Sequence, residues 1–242
     1  MTMQEITING KWTLALPAHR SSMDWDHWEK ERLDSMHNHL DEGDVIFDVG
    51  AEEGDLPALW SSWGCEVVCF EPGVKYWPNI KAIWEANHLT PMKGYFVGFA
   101  SDVTDLSPKN LDKTEQGSTA DGRWPSVANG HLWDQSDFRH LAQQSTESPQ
   151  VTIDDFVDTT GIIPNALTID VEGSEFRVLK GAKKTLKNNS VKVWVSIHID
   201  RPWVDEFYRG FTADDVVSFM SGLGYDAEHL VTDHEEHWRF WK

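Results

Sequence analysis

Apolar positions along this chain recur in two periods, and the period switches at short intervals. The clearest switch lies between residues 45 and 72. Val45–Phe47 is a short apolar run closed by Asp48-Val49-Gly50, which suits a strand buried on both faces. Leu56, Leu59, Trp60 and Trp63 then recur at helical spacing. Asp55 is the candidate N-cap, Pro57 fits the first turn and Gly64 supplies the stop. Glu66–Glu71 reads as the next strand. The unit is strand–helix–strand, a parallel pair with a right-handed crossover.

The alternation continues on both sides. Ile6–Ile8 and Lys11–Leu14 flank Asn9-Gly10, a hairpin signal because that dipeptide tolerates two positive φ values. Trp25, Trp28, Leu33, Met36 and Leu40 trace one apolar face and predict a helix from Ser21 or Ser22 to about Leu40. His37 and His39 fall near its C-terminal end, where the dipole favours positive charge. Pro78–Leu89 predicts a helix with Ile80, Ile83 and Trp84 inward, and Tyr95–Ala100 a third strand. Val151–Ile163 predicts a short strand leading into a helix, and Ala166–Val171 a buried strand. Ser174 caps a predicted helix whose Phe176, Leu179, Ala182 and Leu186 face in. Val191–Ile197 is a further strand, Thr212 caps the next helix, and two strands follow at His229–Thr232 and Trp238–Trp241.

This order indicates an α/β fold with a doubly wound, mostly parallel sheet. Residues 1–43 read as a hairpin-and-helix cover, and residues 44–242 as the main domain. Residues 101–150 break the pattern with Ser, Thr, Gln, Gly and Pro, and read as a variable lid or substrate insert. Their Trp124, His131 and Trp133 form either a carbohydrate-stacking wall or the core of a small hairpin.

Composition narrows the partners. The length of 242 residues suits one large α/β domain. With 21 Lys+Arg against 40 Asp+Glu the net charge is -19. Such a surface repels phosphate backbones and anionic lipid, so neither nucleic acid nor a membrane is an expected partner. No apolar run approaches membrane-spanning length, and MTMQEITING shows no signal-peptide pattern. Cys65 and Cys69 lie roughly 13 Å apart in extended chain, beyond disulfide reach, as expected of a reduced, cytoplasmic protein.

Ligands of a strand–helix–strand unit sit beyond the carboxyl ends of its strands. Gly50 and Gly54 allow close approach there, and Glu71 is placed to bond a ribose diol. The pattern is DxGxxxG, not GxGxxG, so the pyrophosphate turn of NAD enzymes is missing. A nucleoside without a diphosphate fits better, and S-adenosylmethionine (SAM) is the candidate. The plainer alternative leaves these glycines to serve turns alone. Asp102 either accepts a bond from an adenine amino group or caps a turn.

Three linked segments carry a resemblance: IFDVGAEEG, then VVCFEP some twenty residues on, then TIDVEGSEFRVLKGAKKTL, with VTIDDF before the last and VSIH after it. Together they resemble the FkbM family of SAM-dependent methyltransferases over about Asp44 to Asp200. The resemblance implies a Rossmann-like class I methyltransferase fold with seven strands, the last antiparallel. It implies SAM as methyl donor and a hydroxyl, often on a sugar or polyketide, as acceptor, so a glycan or small molecule is the expected partner. By position, Asp48, Gly50, Ala51 and Gly54 would line the methionine end of SAM. Glu71, followed by Pro72, would hold the ribose, and Asp102 would sit near the adenine. Two positions depart from the family pattern. Glu52 stands where Asn is usual, and its extra carboxylate either meets the sulfonium-bearing ligand favourably or weakens binding by crowding. Ser196 stands where a Glu often precedes Ile-His, which removes an acidic partner from His198.

Methyl transfer to a neutral hydroxyl benefits from a general base. Asp170 and Glu172 flank the carboxyl end of the strand beside the switch point, and His198 tips the next strand. Asp170 is the favoured base, Glu172 the group that holds the acceptor, and His198 the competing base. A structural role for the two carboxylates is the alternative. Glu175, in the first helical turn, reads as a surface charge favoured by the dipole. His234-Glu235-Glu236-His237 does not have HExxH spacing, and His229, His234 and His237 read as a solvated turn, so no metal is expected. No GxSxG elbow supports a hydrolase. The rival functions are N-methylation of an amine and a SAM-fold module without catalysis.

Overall fold

The computed structural model describes residues 2–105, 117–118, 123–132, 148–198 and 211–242. β1 (Met3–Ile8) and β2 (Trp12–Pro17) form the antiparallel hairpin. Its turn places Asn9 and Gly10 at φ 50° and 66°, and the Lys11 N–H donates to the Ile8 carbonyl. α1 (Lys30–His39) starts later than its apolar face predicts. The hairpin is the reason. Asn9 donates its backbone N–H to the Trp25 carbonyl and its amide to the Trp28 carbonyl, and Glu29 turns to φ 44°. Those carbonyls are thus committed outside a helix, and only a 3-10 turn at Ala18–Ser22 precedes α1.

β3 (Val45–Val49), α2 (Asp55–Ser62) and β4 (Glu66–Phe70) build the expected parallel unit. Asp55 does not cap α2. Gly54 takes that position at φ 95°, and Asp55 pairs instead with the buried Arg20 guanidinium. α3 (Trp77–Ala86) buries Ile80, Ile83 and Trp84. β5 (Gly94–Phe96) ends sooner than the predicted third strand. At Gly98 a side chain would meet the Pro149 carbonyl and the Phe96 ring, so the chain turns there and β6 (Phe99–Ala100) leaves the sheet. β7 (Gly117–Ser118) adds a two-residue antiparallel edge to β5, and β8 (Gln150–Val151) pairs in parallel with β6. Of the aromatics in this insert, Trp124 packs edge-on against Trp84 of α3, and Trp133 lies outside the described residues.

α4 (Ile153–Thr160) is capped by the Thr152 hydroxyl, which accepts from the Asp155 N–H. β9 (Ala166–Ile169) follows. The single helix expected after Ser174 is two, α5 (Glu175–Gly181) and α6 (Lys183–Asn188). The Asp154 carboxylate accepts from the N–H groups of Lys184 and Thr185 and so starts a second helix. β10 (Lys192–Ile197) leads to α7 (Ala213–Gly222), opened by a Thr212/Asp215 capping box, and then to β11 (Asp226–Thr232) and β12 (Glu236–Trp241).

The main sheet runs β11–β12–β10–β9–β3–β4–β5–β7. Seven of these are the expected strands, with the last, β12, antiparallel to β10. The two-residue β7 makes an eighth, which the sequence pattern does not predict. Strand order reverses at β3, which lies between β4 and β9. Successive residues face opposite ways: Ile46 joins Trp60, Trp77 and Trp194 under α1, α2 and α3, while Phe47 joins Phe70, Phe156 and Phe240 under α4, α5 and α7. Both faces are therefore covered, which leaves the carboxyl ends of β3, β4 and β9 as the place for a ligand in a sheet of this kind. Cys65 and Cys69 are free and buried. No helix among the described residues is long and apolar enough to cross a membrane.

Candidate active site

The turn after β3 depends on Gly50. Its φ is 94°, and a Cβ there would lie 1.8 Å from the Asp170 carbonyl oxygen. Only glycine lets the tips of β3 and β9 approach this closely. The N–H groups of Gly50 and Ala51 both donate to the Phe70 carbonyl, at 3.0 and 3.3 Å, which holds the turn against β4. Glu52, at φ 44°, is exposed on the rim and donates its N–H to Glu71 Oε2 at 2.8 Å. The Gly73 N–H donates to Glu71 Oε1 at 2.6 Å, and half-buried Pro72 lies between the two. Burial pushes the Glu71 carboxyl up to about 8 despite these two bonds. Asp48 is buried under the turn. Trp60 Nε1 donates to its Oδ1 at 3.2 Å, its Oδ2 has no partner, and burial raises its pKa to about 7. Gly54 packs on Ile80. Asp102 lies on another element, beyond β6. Arg177 Nε and Nη2 and Ser101 Oγ all meet its Oδ1, at 2.9, 2.8 and 3.3 Å. Its burial is outweighed by Arg177, which holds the carboxyl below the usual range.

Asp170, Glu172 and His198 come together at the tips of β9 and β10. His198 Nε2 lies 3.7 Å from Asp170 Oδ1, 3.5 Å from Glu172 Oε2 and 2.8 Å from Glu235 Oε1. Its Nδ1 meets Glu175 Oε1 at 2.8 Å. The ring is 1% exposed. Burial alone would lower the His198 pKa, but Glu175, Glu235 and Asp170 outweigh it and push it up to about 11. The Asp170 side chain is 24% exposed and that of Glu172 63%, so both are open to solvent.

Two expectations are corrected here. Glu175 is not a surface charge: it is fully buried, and Oε1 also accepts from the Gly173 N–H at 2.8 Å. The 234–237 segment is not uniformly solvated. Glu235 and His237 are buried, and Ser196 Oγ lies 3.0 Å from His237 Nδ1. The serine at 196 thus takes a histidine partner, and Glu175 and Glu235 supply the acidic partners of His198.

Arg32 was not singled out from sequence. It is buried on α1, with Nη1 at 2.5 Å from Glu29 Oε2 and 3.2 Å from Asp170 Oδ2, and Nη2 at 2.6 Å from Thr168 Oγ1. A signal existed. Arg32 falls midway between Trp28 and Met36 on the apolar stripe, where a charge requires a partner.

Sheet order, antiparallel last strand and a glycine turn at the switch point define a class I methyltransferase fold. The chain belongs to the FkbM methyltransferase family: the family model of the methyltransferase FkbM domain matches residues 48–227. The methyl donor of this family is SAM. Among solved structures, a methyltransferase FkbM from Methylobacillus flagellatus KT is similar at 17% identity and a TM-score of 0.49, over 84% of this chain and 44% of its own. This chain thus spans less than half of that protein's length. A precorrin-6y C5,15-methyltransferase from Geobacter metallireducens GS-15 aligns at 12% identity and a TM-score of 0.47, over 95% of each chain. A methyltransferase from Pyrococcus furiosus aligns at 11% identity and a TM-score of 0.46, over 94% of this chain and 88% of its own. No curated protein sequence matches the chain.

Proposed function

We propose that the chain is an O-methyltransferase whose acceptor is a hydroxyl of a sugar, a glycan or a small hydroxylated metabolite. One observation carries this reading: the partly open Asp170 carboxylate at the tip of β9, with Oδ2 on Arg32 and its backbone against the Gly50 turn. A neutral hydroxyl needs its proton removed as it attacks. Asp170 takes that proton, and Arg32 holds the carboxylate in place. His198 is buried, with Nδ1 on Glu175, so it positions the carboxylates and does not reach the acceptor. Exposed Glu172 holds the acceptor beside Asp170.

The residues present fit an adenosyl sulfonium. Asp48, with its buried and unpartnered Oδ2, lies under the turn of Gly50, Ala51, Glu52 and Gly54, and would serve the methionine end. Each Glu71 oxygen accepts one backbone N–H, which leaves lone pairs for a ribose diol beside Pro72. Asp102 Oδ2 takes none of the Arg177 and Ser101 bonds and suits an adenine amino group. Bound there, SAM supplies an already activated methyl group. The net charge of -19 favours a small neutral or cationic acceptor over nucleic acid. Free, buried Cys65 and Cys69 suit a reducing compartment such as the cytoplasm.

N-methylation of an amine is the second reading, favoured by the carboxylates Asp170, Glu172 and Glu235 around one crevice. Calorimetric titration with SAM, then transfer of labelled methyl to panels of sugars, glycans and amines, decides between them. Label on hydroxyls is the expected result. Label on amines alone overturns the O-methyl assignment, and no heat with SAM favours a non-catalytic module.

A further inference from the structure

Extending the O-methyltransferase reading, on which this inference rests, we propose that the tips of β9 and β10 and the β11–β12 turn form a divalent-cation site. Asp170, His198 and Glu235 are its ligands, and manganese is the ion of best fit. The three side chains each offer one ligand atom, and these atoms all lie within 4.8 Å of one another.

The arrangement around His198 points to a ligand. Nε2 is buried and faces Glu235 Oε1 at 2.8 Å as an ion pair, in a geometry short of a hydrogen bond. Nε2 is aimed into a cluster of carboxylates, Asp170, Glu172 and Glu235, at 3.7, 3.5 and 2.8 Å. The ring's other nitrogen is fixed by Glu175, which is itself locked by the Gly173 N–H. A carboxylate on the far nitrogen is the usual support for a metal-bound imidazole, because it fixes both tautomer and ring orientation. Asp170 is prepared in the same way. Arg32 holds Oδ2 and leaves Oδ1 turned toward Nε2.

The spacing is suitable. Ligands about 2.1 Å from an ion and at right angles to each other stand about 3 Å apart. The distances from Nε2 to Glu235 Oε1 and Asp170 Oδ1, 2.8 and 3.7 Å, bracket that value. Glu172 Oε2 lies 3.5 Å from Nε2 at the edge of the site. Imidazole suits zinc, iron and nickel, while carboxylates suit magnesium, calcium and manganese. One imidazole among carboxylates with no thiolate best suits manganese. On binding, the proton on Nε2 leaves to solvent and the ion takes its place. Three protein ligands leave coordination positions open toward the crevice. A hydroxyl held there would have a lower pKa.

The test uses the full chain, stripped with a chelator and dialysed, and manganese alone as the probe. Electron paramagnetic resonance and calorimetry are expected to show one ion bound per chain at micromolar concentrations. Glu235→Gln and His198→Ala are each expected to weaken binding at least about a hundredfold, and Glu175→Gln about tenfold to a hundredfold. Thermal melts establish that each variant folds. Should His198→Ala not fold, Glu235→Gln on its own decides. A wild-type chain that binds no manganese at millimolar concentration overturns the site, as does equal binding by wild type and Glu235→Gln. Assays with and without chelator separate this from the parent reading. Full methyl transfer in chelator leaves the O-methyltransferase standing and overturns the cation's role. Manganese binding without transfer to any hydroxyl upholds the site and removes the parent reading.

Discussion

Glu175 and His198 are joined by a 2.8 Å contact through Nδ1, and both side chains are closed off from solvent. The Val171 and Gly173 N–H groups reach the same oxygen, Oε1, at 3.4 and 2.8 Å. A glutamine there can keep its carbonyl oxygen on all three partners while losing the charge. Glu175→Gln is therefore expected to fold like the parent and to lose about tenfold or more in turnover. Glu175→Ala strands the Gly173 N–H and is expected to cost about 1–3 kcal/mol in urea denaturation.

Arg32 serves three acceptors on α1 and β9 from one buried guanidinium. Arg32→Met leaves Glu29 and Asp170 without their shared counter-charge. The expected loss is about 3–5 kcal/mol, read as a lower guanidinium midpoint. Arg32→Lys is expected to rescue little, since an ammonium cannot present two nitrogens in the plane needed to span Glu29, Asp170 and Thr168.

Asp170→Asn separates binding from chemistry. Calorimetry is expected to show SAM affinity within a few-fold of wild type, while turnover falls at least about a hundredfold. Retained turnover would move the base to another group.

Gly50→Ala places a methyl 1.8 Å from the Asp170 carbonyl on a backbone at φ 94°. The expected cost is about 3 kcal/mol or more, together with weaker SAM binding, because the tips of β3 and β9 must separate. Gly10→Ala makes the control. Nothing lies within 4 Å of its added carbon, so only the left-handed backbone cost of about 1–2 kcal/mol remains.

Stability should fall as pH rises toward 8. Glu71 and Asp48 have folded pKa values raised to about 8 and about 7, above those of an unfolded chain. The fold therefore binds more protons than the unfolded chain. Their contribution is fullest below the unfolded pKa and is lost as pH rises through the folded values. Melting temperatures between pH 5.5 and 8.5 are expected to drop by at least about 4 °C. Added salt should not abolish the drop, because it screens the surface charge and not the two buried groups. A flat or rising profile would contradict the burial of these carboxyls as charged-state penalties.

Much of the frame was legible because its signals are local. Val45–Phe47, the Leu56–Trp63 stripe and Thr212 each announce an element through neighbours a few residues away. Asn9-Gly10 likewise forms its turn from its own two φ values. The misreadings are places where a distant group overrides the local pattern. Asn9 claims the carbonyls of Trp25 and Trp28 and delays α1. Asp154 caps Lys184 and Thr185 and divides one helix into two. Glu175 looks like any first-turn carboxylate until His198 is brought over it from β10. Glu235 looks solvated until the β11–β12 turn folds beside β9. The motif DVEGSE did contain Glu175, so the resemblance carried a signal that helix-dipole reasoning passed over.

The counter-charge on Asp170 comes from α1 and the acid beside His198 from the final hairpin. On the ribosome, Gly50 and Glu71 have been made long before Glu235. The acidic surroundings of His198 are therefore incomplete until the hairpin carrying Glu235 has been translated. Trimming away α1 is expected to remove the Asp170 counter-charge and, with Leu33 and Met36, the cover of one face of the sheet.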